Sequence, residues 1–535
     1  MASPAQKSKG ASETRVVRTR RTVQVAALVV FLLLFAAAIG PWRFPIPPEL
    51  FLRIDPLVAA VTLLSAQTLS RSIIVSIALF ALPVAALGLL TERAFCGWLC
   101  PLGTVVDISD RLFGVRQARR HVAVPWLKFA VLGAVGLGGL AGLSLLFLVD
   151  PIVLLTRSLT LGAVPGTQAA LKRLADLPAV GPIASLLPYV GLPQWVYRSS
   201  IISAGILIGV LALSAMGRRF WCRNVCPLGA MLGLMGRAAV LRLRIGQPCA
   251  GCDACVRACK MDAIKGGEKA AYISAECVSC YSCVGICPEG QISIVGPVRH
   301  ESRSVQLNVP RRRVLQAGAL GIGWALLGKF DVGAARSESG APVGNPYLLR
   351  APGAAPEQEF LRRCVRCAQC IKVCPNGALQ PALAEAGAAG FWTPVLVPRI
   401  NYCSEPCNAC AQACPTSALE PFEIREKKWL FIGTAVIDRS RCIAWNSDKV
   451  CLVCDEQCSY KAVYWQTVDG RRRPFVNDQV CVGCGICENK CPVGPEAAIR
   501  VFNFGDKRDW TRERQKRFRA SARPLGEQYT LLPIE

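Results

Sequence analysis

The chain has 535 residues, of which 28 are cysteine and 52% are hydrophobic, so several domains are expected and a small disulfide-stapled secreted scaffold is excluded. Its two histidines are too few for several bis-histidine haems, which leaves zinc sites or iron–sulfur clusters as the main uses of cysteine. The formal charge of +26 counts every thiol as neutral and largely follows the loops between apolar segments, so no nucleic-acid partner is predicted.

Four apolar segments come first and predict transmembrane helices, because each has close to the roughly 20 residues that cross a bilayer. They span about residues 22–40, 72–90, 124–149 and 199–216, within a bundle of residues 1–245. Lys and Arg are dense before the first segment, after the second and after the fourth, and sparser in the other two loops. By the positive-inside rule, both ends of this bundle are expected in the cytoplasm.

The bundle is predicted to consist of two repeated two-helix units. An Asp-Pro pair recurs on the non-cytoplasmic side, at Asp55 and Asp150. A C-x-x-x-C-P motif recurs at the cytoplasmic ends of the second and fourth helices, with Cys96, Cys100, Cys222 and Cys226. Two units of the same orientation are related by a pseudo-two-fold axis along the membrane normal, which is expected to bring the four thiols together.

Several interpretations of these repeated residues stay open. The four thiols bind a seventh metal centre, form a redox-active disulfide, or remain reduced. Asp55 and Asp150 either help a quinol to lose its protons or simply cap and turn the chain.

A C-x2-C-x2-C-x3-C spacing occurs twice in residues 246–296 and is typical of bacterial ferredoxins, in which the fourth cysteine ligates the other cluster of a pair. Crossed ligation assigns one [4Fe–4S] cluster to Cys249, Cys252, Cys255 and Cys287. It assigns the other cluster to Cys259, Cys277, Cys280 and Cys283. Lys260 stands where Pro usually follows the fourth cysteine, which leaves the prediction unchanged because Pro is not a ligand.

Residues 346–505 repeat this pattern twice and are predicted to form a four-cluster domain. The first pair of clusters is assigned to Cys364, Cys367, Cys370 and Cys414, and to Cys374, Cys403, Cys407 and Cys410. The second pair is assigned to Cys442, Cys451, Cys454 and Cys491, and to Cys458, Cys481, Cys484 and Cys487. Six complete quartets make zinc a poor alternative and use every cysteine outside the C-x-x-x-C-P motifs.

Residues 297–345 form a linker of a different kind. Arg311, Arg312 and Arg313 precede about 14 mostly apolar residues, a pattern typical of Tat export signals. Export of a folded domain predicts two clusters in the cytoplasm and four in the periplasm, whereas the alternative is a basic cytoplasmic linker with a buried helix. The basic tail, residues 506–535, docks an acidic redox partner or the membrane surface, or is simply solvated.

With these motifs, residues 1–295 resemble the NapH/MauN-type membrane ferredoxin subunit, through the four helices, the two C-x-x-x-C-P motifs and the first ferredoxin module. Residues 305–500 resemble the NapG/MauM-type periplasmic ferredoxin, through the Tat-like signal, the offset spacing at Cys403/Cys407 and the long gap between Cys442 and Cys451. The chain therefore looks like a fusion of two proteins that are usually separate.

The resemblance implies that a quinol, menaquinol in particular, is oxidised at the bundle, and that electrons pass to a periplasmic cytochrome or reductase. The implied location is the bacterial cytoplasmic membrane, with access to the quinone pool. No catalytic side chain is predicted, and quinol dehydrogenase activity is left open. The alternative is an accessory or maturation factor that reduces a periplasmic metal or cofactor, similar to the cytochrome oxidase accessory family. The predicted fold is multi-domain: a four-helix transmembrane bundle followed by α+β bacterial-type 2[4Fe–4S] ferredoxin modules.

Overall fold

A computed structural model describes most of the chain. It covers residues 4–38, 46–67, 70–112, 124–142, 144–175, 197–246, 249, 251–266, 271–296, 345–447 and 449–504, with four isolated positions at 312, 316, 319 and 323. The predicted Tat-like signal, except for those positions, and the basic tail lie outside the described residues.

The N-terminal half is helical, and its helices differ widely in length. In chain order they are α1 (Pro4–Ala37), α2 (Leu50–Arg53), α3 (Pro56–Ser65), α4 (Arg71–Thr91), α5 (Ala94–Trp98), α6 (Pro101–Leu112), α7 (Trp126–Leu140), α8 (Leu146–Val149), α9 (Pro151–Ser158), α10 (Val164–Ala175), α11 (Ser200–Ala212), α12 (Phe220–Asn224) and α13 (Pro227–Met235). A π-helical turn, Leu159–Ala163, joins α9 to α10, and 3-10 turns follow α11 and α13 at Leu213–Met216 and Gly236–Ala238.

Two of the described helices are long and apolar enough to cross a membrane, Arg15–Ala37 within α1 and Ile73–Thr91 within α4. Three apolar helices are shorter, at Pro56–Ser65, Trp126–Leu140 and Ser200–Met216. The first, second and fourth predicted segments thus correspond to helices, although the fourth has 17 residues rather than a full span.

The third predicted helix, residues 124–149, was wrong as one continuous element. Helix α7 ends at Leu140, Gly142 has a φ of +86°, and α8 begins only at Leu146. This left-handed conformation favours glycine, and a Cβ at Gly142 would lie 2.9 Å from Nε of Arg362. The helix breaks where the C-terminal domain approaches it. The sequence does not reveal this break, because residues 124–149 are apolar throughout most of their length.

The first ferredoxin module consists of short elements around a small core. Its helix is α14 (Ala254–Ala258), with 3-10 turns at Ser274–Glu276 and Val284–Ile286. Strand β1 (Arg242–Ile245) pairs antiparallel with β4 (Ile292–Val295), and β2 (Ile264–Lys265) pairs antiparallel with β3 (Ala271–Tyr272). The buried core between them includes Leu243, Ile264, Tyr272 and Ile292 together with ligand-candidate cysteines.

The C-terminal domain has three antiparallel strand pairs and a core of its own. The helices are α15 (Glu357–Arg363), α16 (Gln369–Lys372), α17 (Ala409–Gln412), α18 (Ile443–Asn446), α19 (Val453–Glu456) and α20 (Ile486–Lys490), with 3-10 turns at Ala388–Gly390 and Ile424–Trp429. The pairs are β5 (Leu379–Pro381) with β6 (Pro394–Leu396), β7 (Thr434–Ile437) with β10 (Ile499–Phe502), and β8 (Val463–Val468) with β9 (Arg471–Val476). Phe360, Ile371 and Ile499 lie in one buried cluster, so both halves of the domain share a core.

The two ferredoxin units contact opposite ends of α4. Just before α4, Oγ of Ser65 donates a hydrogen bond to the Arg362 carbonyl of the C-terminal domain, at 2.9 Å. At its other end, the Thr91 carbonyl accepts one from Oγ of Ser279 in the first module, at 2.6 Å. A helix of 21 residues is about 30 Å long at 1.5 Å per residue, which is close to the hydrocarbon thickness of a bilayer.

Candidate iron–sulfur centres

The structure brings together the cysteines that crossed ligation pairs in the first half of the C-terminal domain. The thiol of Cys414 lies close enough to those of Cys364, Cys367 and Cys370 to interact electrostatically with each. The other quartet lines one cavity, and its members are Cys374, Cys403, Cys407 and Cys410. In each quartet, the fourth cysteine of one motif joins the first three of its partner motif.

The second half of the domain shows the same exchange. The thiols of Cys442 and Cys454 both interact with those of Cys451 and Cys491. Cys458 in turn interacts with the remaining three, Cys481, Cys484 and Cys487. The eight residues between Cys442 and Cys451 include α18, and the two thiols still lie close enough to interact.

The first module gathers its eight cysteines into two groups. One group lines a cavity, and its members are Cys249, Cys252, Cys255 and Cys287. In the other group, the thiol of Cys280 interacts with those of Cys277, Cys283 and Cys259. Cys252 is exposed whereas Cys277, Cys280 and Cys283 are buried, so the first group is the outer one.

Burial makes these thiols poor acids in the absence of a cation. It raises the pKa of Cys364 to about 11 and the pKa values of Cys367 and Cys484 to about 12. A buried thiolate is therefore favourable where a positive ion replaces the proton, as iron does in a cluster. Among the described residues, no group of three or more His, Cys, Asp or Glu side chains is arranged to hold a single metal ion.

Backbone N–H groups point at several of the candidate ligands. Ala263 N–H donates to Sγ of Cys259 at 3.2 Å, and Ala462 N–H donates to Sγ of Cys458 at 3.3 Å. The two cysteines occupy equivalent positions, as the fourth cysteine of the first motif in a pair. Hydrogen bonds to ligand sulfurs are one way in which a protein sets cluster potentials.

The four quartets of the C-terminal domain follow one another in a row. The first quartet lies near enough to the second for the thiols of Cys370 and Cys410 to interact electrostatically. The second lies beside the third, since the thiols of Cys403 and Cys484 interact and the Cys403 N–H donates to the Cys484 carbonyl at 2.9 Å. The third lies near the fourth, through the interacting thiols of Cys487 and Cys454. We name these quartets A to D in that order: A contains Cys414, B contains Cys403, C contains Cys484, and D contains Cys442.

The repeated C-x-x-x-C-P motifs converge as predicted. All four thiols are buried and interact electrostatically with one another, and they belong to Cys96, Cys100, Cys222 and Cys226. The second cysteine of each motif accepts a backbone hydrogen bond three residues on, from Gly103 at 3.4 Å and from Gly229 at 3.3 Å. The two repeats therefore present equivalent thiols to a shared site.

Two arginines that sequence reasoning counted only as loop charges complete this site. Arg93 precedes α5 and donates to the Cys222 carbonyl at 3.2 Å, while Arg219 precedes α12 and donates to the Cys96 carbonyl at 3.3 Å. Both side chains are fully buried. A Cβ at Gly229 would lie 2.2 Å from Nη2 of Arg93. The glycine of the second C-P-L-G sequence was the available signal, since it leaves room for Arg93.

Each of these arginines shares an acid with a lysine. Glu276 pairs with Arg93 at 3.2 Å and also with Lys128. Asp107 pairs with Arg219 at 2.8 Å and with Lys260 at 3.2 Å. We name these two groups the charge triads; each has two cations and one anion beside the thiols. Glu276 and Lys260 both come from the first module, so the triads also attach that module to the bundle. Lys260 thus replaces the usual proline with a docking contact.

The two Asp-Pro aspartates meet at the other end of the repeat. Asp55 accepts hydrogen bonds from the Leu57 and Val58 N–H groups, and Asp150 from those of Ile152 and Val153, so each caps the helix that its proline begins. The two carboxyl groups are fully buried and interact with each other. Neither Oδ2 atom receives a hydrogen bond from a described donor, so their contact is favourable when one of them holds a proton.

Quartet A lies against this end of the bundle. Phe147 of the bundle and Trp392 of the C-terminal domain pack edge to face, with ring centroids 6.0 Å apart. Arg157 of the bundle lies over Trp392, and Arg366, which follows Cys364 by two residues, lies over Phe147, each at 4.1 Å. The bundle and the C-terminal domain thus each contribute one ring and one arginine, and each arginine lies over the ring of the other unit.

Crossed cysteine quartets on short α+β modules define a ferredoxin-type iron–sulfur protein. A family model described as a 4Fe-4S binding domain matches residues 73–120 and 201–247, and another of that description matches residues 361–380. The chain belongs to the family of ferredoxin-type proteins that includes MauM, NapF and NapG.

Three relatives illustrate the extent of this similarity. The methylamine utilization ferredoxin-type protein MauM of Paracoccus denitrificans is 37% identical over 207 residues, which are 36% of this chain and 88% of MauM. The ferredoxin-type protein NapF of Escherichia coli K12 is 36% identical over 27% of this chain and 80% of NapF. NapG of the same strain is 36% identical over 29% of this chain and 70% of NapG. No solved structure matches the chain.

Proposed function

We propose that the protein holds six [4Fe–4S] clusters and carries electrons from a quinol, menaquinol in particular, through the four clusters of the C-terminal domain to a periplasmic redox protein such as a cytochrome or a reductase. The observation that carries this proposal is the row of quartets A to D, which begins at the Asp55–Asp150 end of the bundle. Quartet A lies against the bundle, and each further quartet lies beside the one before it, which supports a conduit for electrons.

The 24 cysteines of the six quartets would hold the clusters, and each cluster would supply a one-electron carrier when bound. The backbone donors at Cys259 and Cys458 would adjust the potentials of their clusters. The Asp55–Asp150 pair would accept a proton that a quinol releases, because its two buried carboxyl groups lie against each other and their contact is favourable when one is protonated.

Placement across the bacterial cytoplasmic membrane is part of the proposal. The two ferredoxin units lie at opposite ends of a helix about 30 Å long, which supports a cytoplasmic first module and a periplasmic C-terminal domain. This arrangement also supports the fusion of a NapH-like with a NapG-like protein, and it agrees with the expected export signal in the linker.

A second candidate function is reduction of a periplasmic metal or cofactor during assembly of another enzyme. The four buried thiols of the bundle favour it, because they share a buried core with Val278 and Cys280, of which Cys280 belongs to the inner cysteine group of the first module. In this alternative the thiols act as a redox-active group or as a seventh metal centre. It differs from the first candidate in the acceptor and not in the six clusters.

The test is anaerobic purification into proteoliposomes, followed by iron analysis and by electron paramagnetic resonance during addition of menaquinol. We expect about 24 iron atoms per chain and reduction of clusters by menaquinol. Full iron without menaquinol-driven reduction would remove the quinol from the proposal, and iron far below this value would remove the six clusters. A value near 28 would assign a further cluster to the four thiols of the bundle.

A further inference from the structure

A cavity of about 290 Å³ lies at the junction of the bundle and the C-terminal domain. Residues of α2, α3 and α4 line it on the side of the bundle, and residues between 411 and 421, which include Cys414, line it on the side of the C-terminal domain. Its lining is formed by Leu52, Arg53, Val58, Ala59, Thr62, Ile73, Ser76, Ile77, Phe80, Ala411, Gln412, Cys414, Pro415, Thr416, Ser417 and Pro421. The cavity therefore joins a helix that is apolar enough to cross a membrane to a candidate cluster ligand.

The wall from α4 is one continuous helical face. Ile73, Ser76, Ile77 and Phe80 recur at the spacing of a single side of a helix. Leu79 does not line the cavity, and 64% of its surface is exposed. The cavity side of α4 thus offers an apolar surface and one aromatic ring, which suits a flat aromatic ligand that arrives from lipid.

Polar groups stand on two sides of this apolar surface. Oγ1 of Thr62 has no hydrogen-bond partner among the described residues, although only 1% of the surface of Thr62 is exposed. Arg53 lies across the cavity, paired with Glu49 at 2.6 Å, 5.7 Å from the centre of the Phe80 ring and donating to the Gln412 carbonyl at 3.4 Å. A buried hydroxyl without a partner is costly, so Thr62 indicates a missing polar ligand.

The Cys414 side of the cavity and the helix cap at Asp55 connect the cavity to the proposed chemistry. Cys414 belongs to quartet A, the first quartet of the row. Val58 lines the cavity, and its N–H donates to Oδ1 of Asp55 at 3.4 Å. A candidate cluster ligand therefore lines the cavity, and a candidate proton acceptor lies one hydrogen bond behind its Val58 wall.

We propose that this cavity binds the quinol headgroup, with one hydroxyl at Thr62 and the ring against Phe80. The inference rests on the proposed quinol oxidation and names its site. Oxidation removes two electrons and two protons from the quinol to leave the quinone. The electrons would be taken one at a time by an iron–sulfur cluster at Cys414, and the protons by the Asp55–Asp150 pair and then by water.

The test compares two tryptophan substitutions on α4 of the full chain, each carried out with clusters present. Ser76→Trp fills the cavity, whereas Leu79→Trp adds the same side chain to the exposed side of the helix. A photoreactive azidoquinone is crosslinked to each variant and to the unmodified protein, and the labelled peptides are identified by mass spectrometry. Reduction by dithionite serves as the measure of intact clusters.

We expect labelling of α3, α4 or residues 411–421 in the unmodified protein and in Leu79→Trp, and at least about tenfold less labelling in Ser76→Trp, with equal dithionite reduction. Thr62→Val keeps the shape of the side chain and is expected to weaken binding of the same probe about 3- to 10-fold.

Labelling elsewhere, or equal labelling of both tryptophan variants, would overturn the site even if menaquinol reduces the protein. Conversely, labelling of the cavity without menaquinol-driven reduction would keep the site and remove the proposed function. If Ser76→Trp loses its clusters, the Thr62→Val affinity decides the inference, and an unchanged affinity would contradict it.

Discussion

The two ends of the bundle hold their ferredoxin units by different means. The first module is attached through the charge triads, in which Glu276 and Asp107 each join two cations within a buried interface. The C-terminal domain is attached through exchanged arginine–aromatic pairs and hydrogen bonds to backbone carbonyls, such as that from Oγ of Ser65 to Arg362. The first junction holds buried ion pairs, whereas the ion pair of Arg198 with Glu385 at the second is partly exposed, and the second junction keeps a cavity.

The difference indicates which end can exchange a small molecule. The buried ion pairs of the first junction leave little freedom for a ligand to enter. A ligand that displaced one partner would leave the opposite charge unpaired in an apolar environment. The junction with the C-terminal domain, in contrast, leaves a cavity of about 290 Å³. The comparison therefore favours the Asp55–Asp150 end, rather than the thiol end, as the place where the proposed quinol enters.

The strongest way to break this comparison is to remove quartet A and leave quartet D. Cys414→Ser and Cys442→Ser should each lose about four iron atoms per chain, since each removes one ligand of one cluster. Menaquinol should no longer reduce the remaining clusters of Cys414→Ser, because the entry point is lost. It should still reduce those of Cys442→Ser, whose missing cluster lies at the far end. Equal reduction of both variants, measured by paramagnetic resonance, would contradict entry at quartet A.

The role of the two aspartates is tested next. The double variant Asp55→Asn, Asp150→Asn keeps a good helix cap at both positions but removes the shared proton. We expect menaquinol-driven reduction to slow about 100-fold, the size of effect typical of general bases, while dithionite reduction is unchanged. An unchanged menaquinol rate in stopped-flow measurements would leave capping as the function of the pair.

At the thiol end, the largest effect is expected from Glu276→Gln. This substitution leaves Arg93 and Lys128 buried without their common acid, which should cost about 3–5 kcal/mol of stability. The matched control is Glu289→Gln, on an exposed residue of the same module, with an expected change within about 0.5 kcal/mol. Thermal unfolding followed by circular dichroism measures both, and equal midpoints would contradict docking through the triad.

The smallest effect is expected from Lys260→Met. Asp107 keeps its hydrogen bonds to Arg219, and the Lys260 side chain is 23% exposed, so the loss should be about 1 kcal/mol or less. Iron content should not change, because this position is not a ligand. A loss of iron from the variant would show that Lys260 supports a cluster and does more than dock the module.

Sequence spacing predicted the crossed quartets because the geometry of most of the ligands is local. The three cysteines of a C-x2-C-x2-C motif lie on one loop that surrounds a cluster. The sequence also predicted that Cys96 and Cys222 meet, since repeats in tandem imply a symmetry axis. It did not predict the use of Arg93 and Arg219, which are placed across the axis by packing between repeats. Nor did it reveal the break at Gly142 or the cavity beside Cys414, because both arise where distant segments meet.

The central claim is that electrons enter from menaquinol and leave on the side of the C-terminal domain. Membrane vesicles of the two orientations, loaded with the protein and reduced by menaquinol, can be mixed with ferricyanide, which does not cross the bilayer. We expect rapid reoxidation of clusters in right-side-out vesicles and slow reoxidation in inside-out vesicles. Rapid reoxidation confined to inside-out vesicles, or clusters that menaquinol never reduces in either, would contradict the claim.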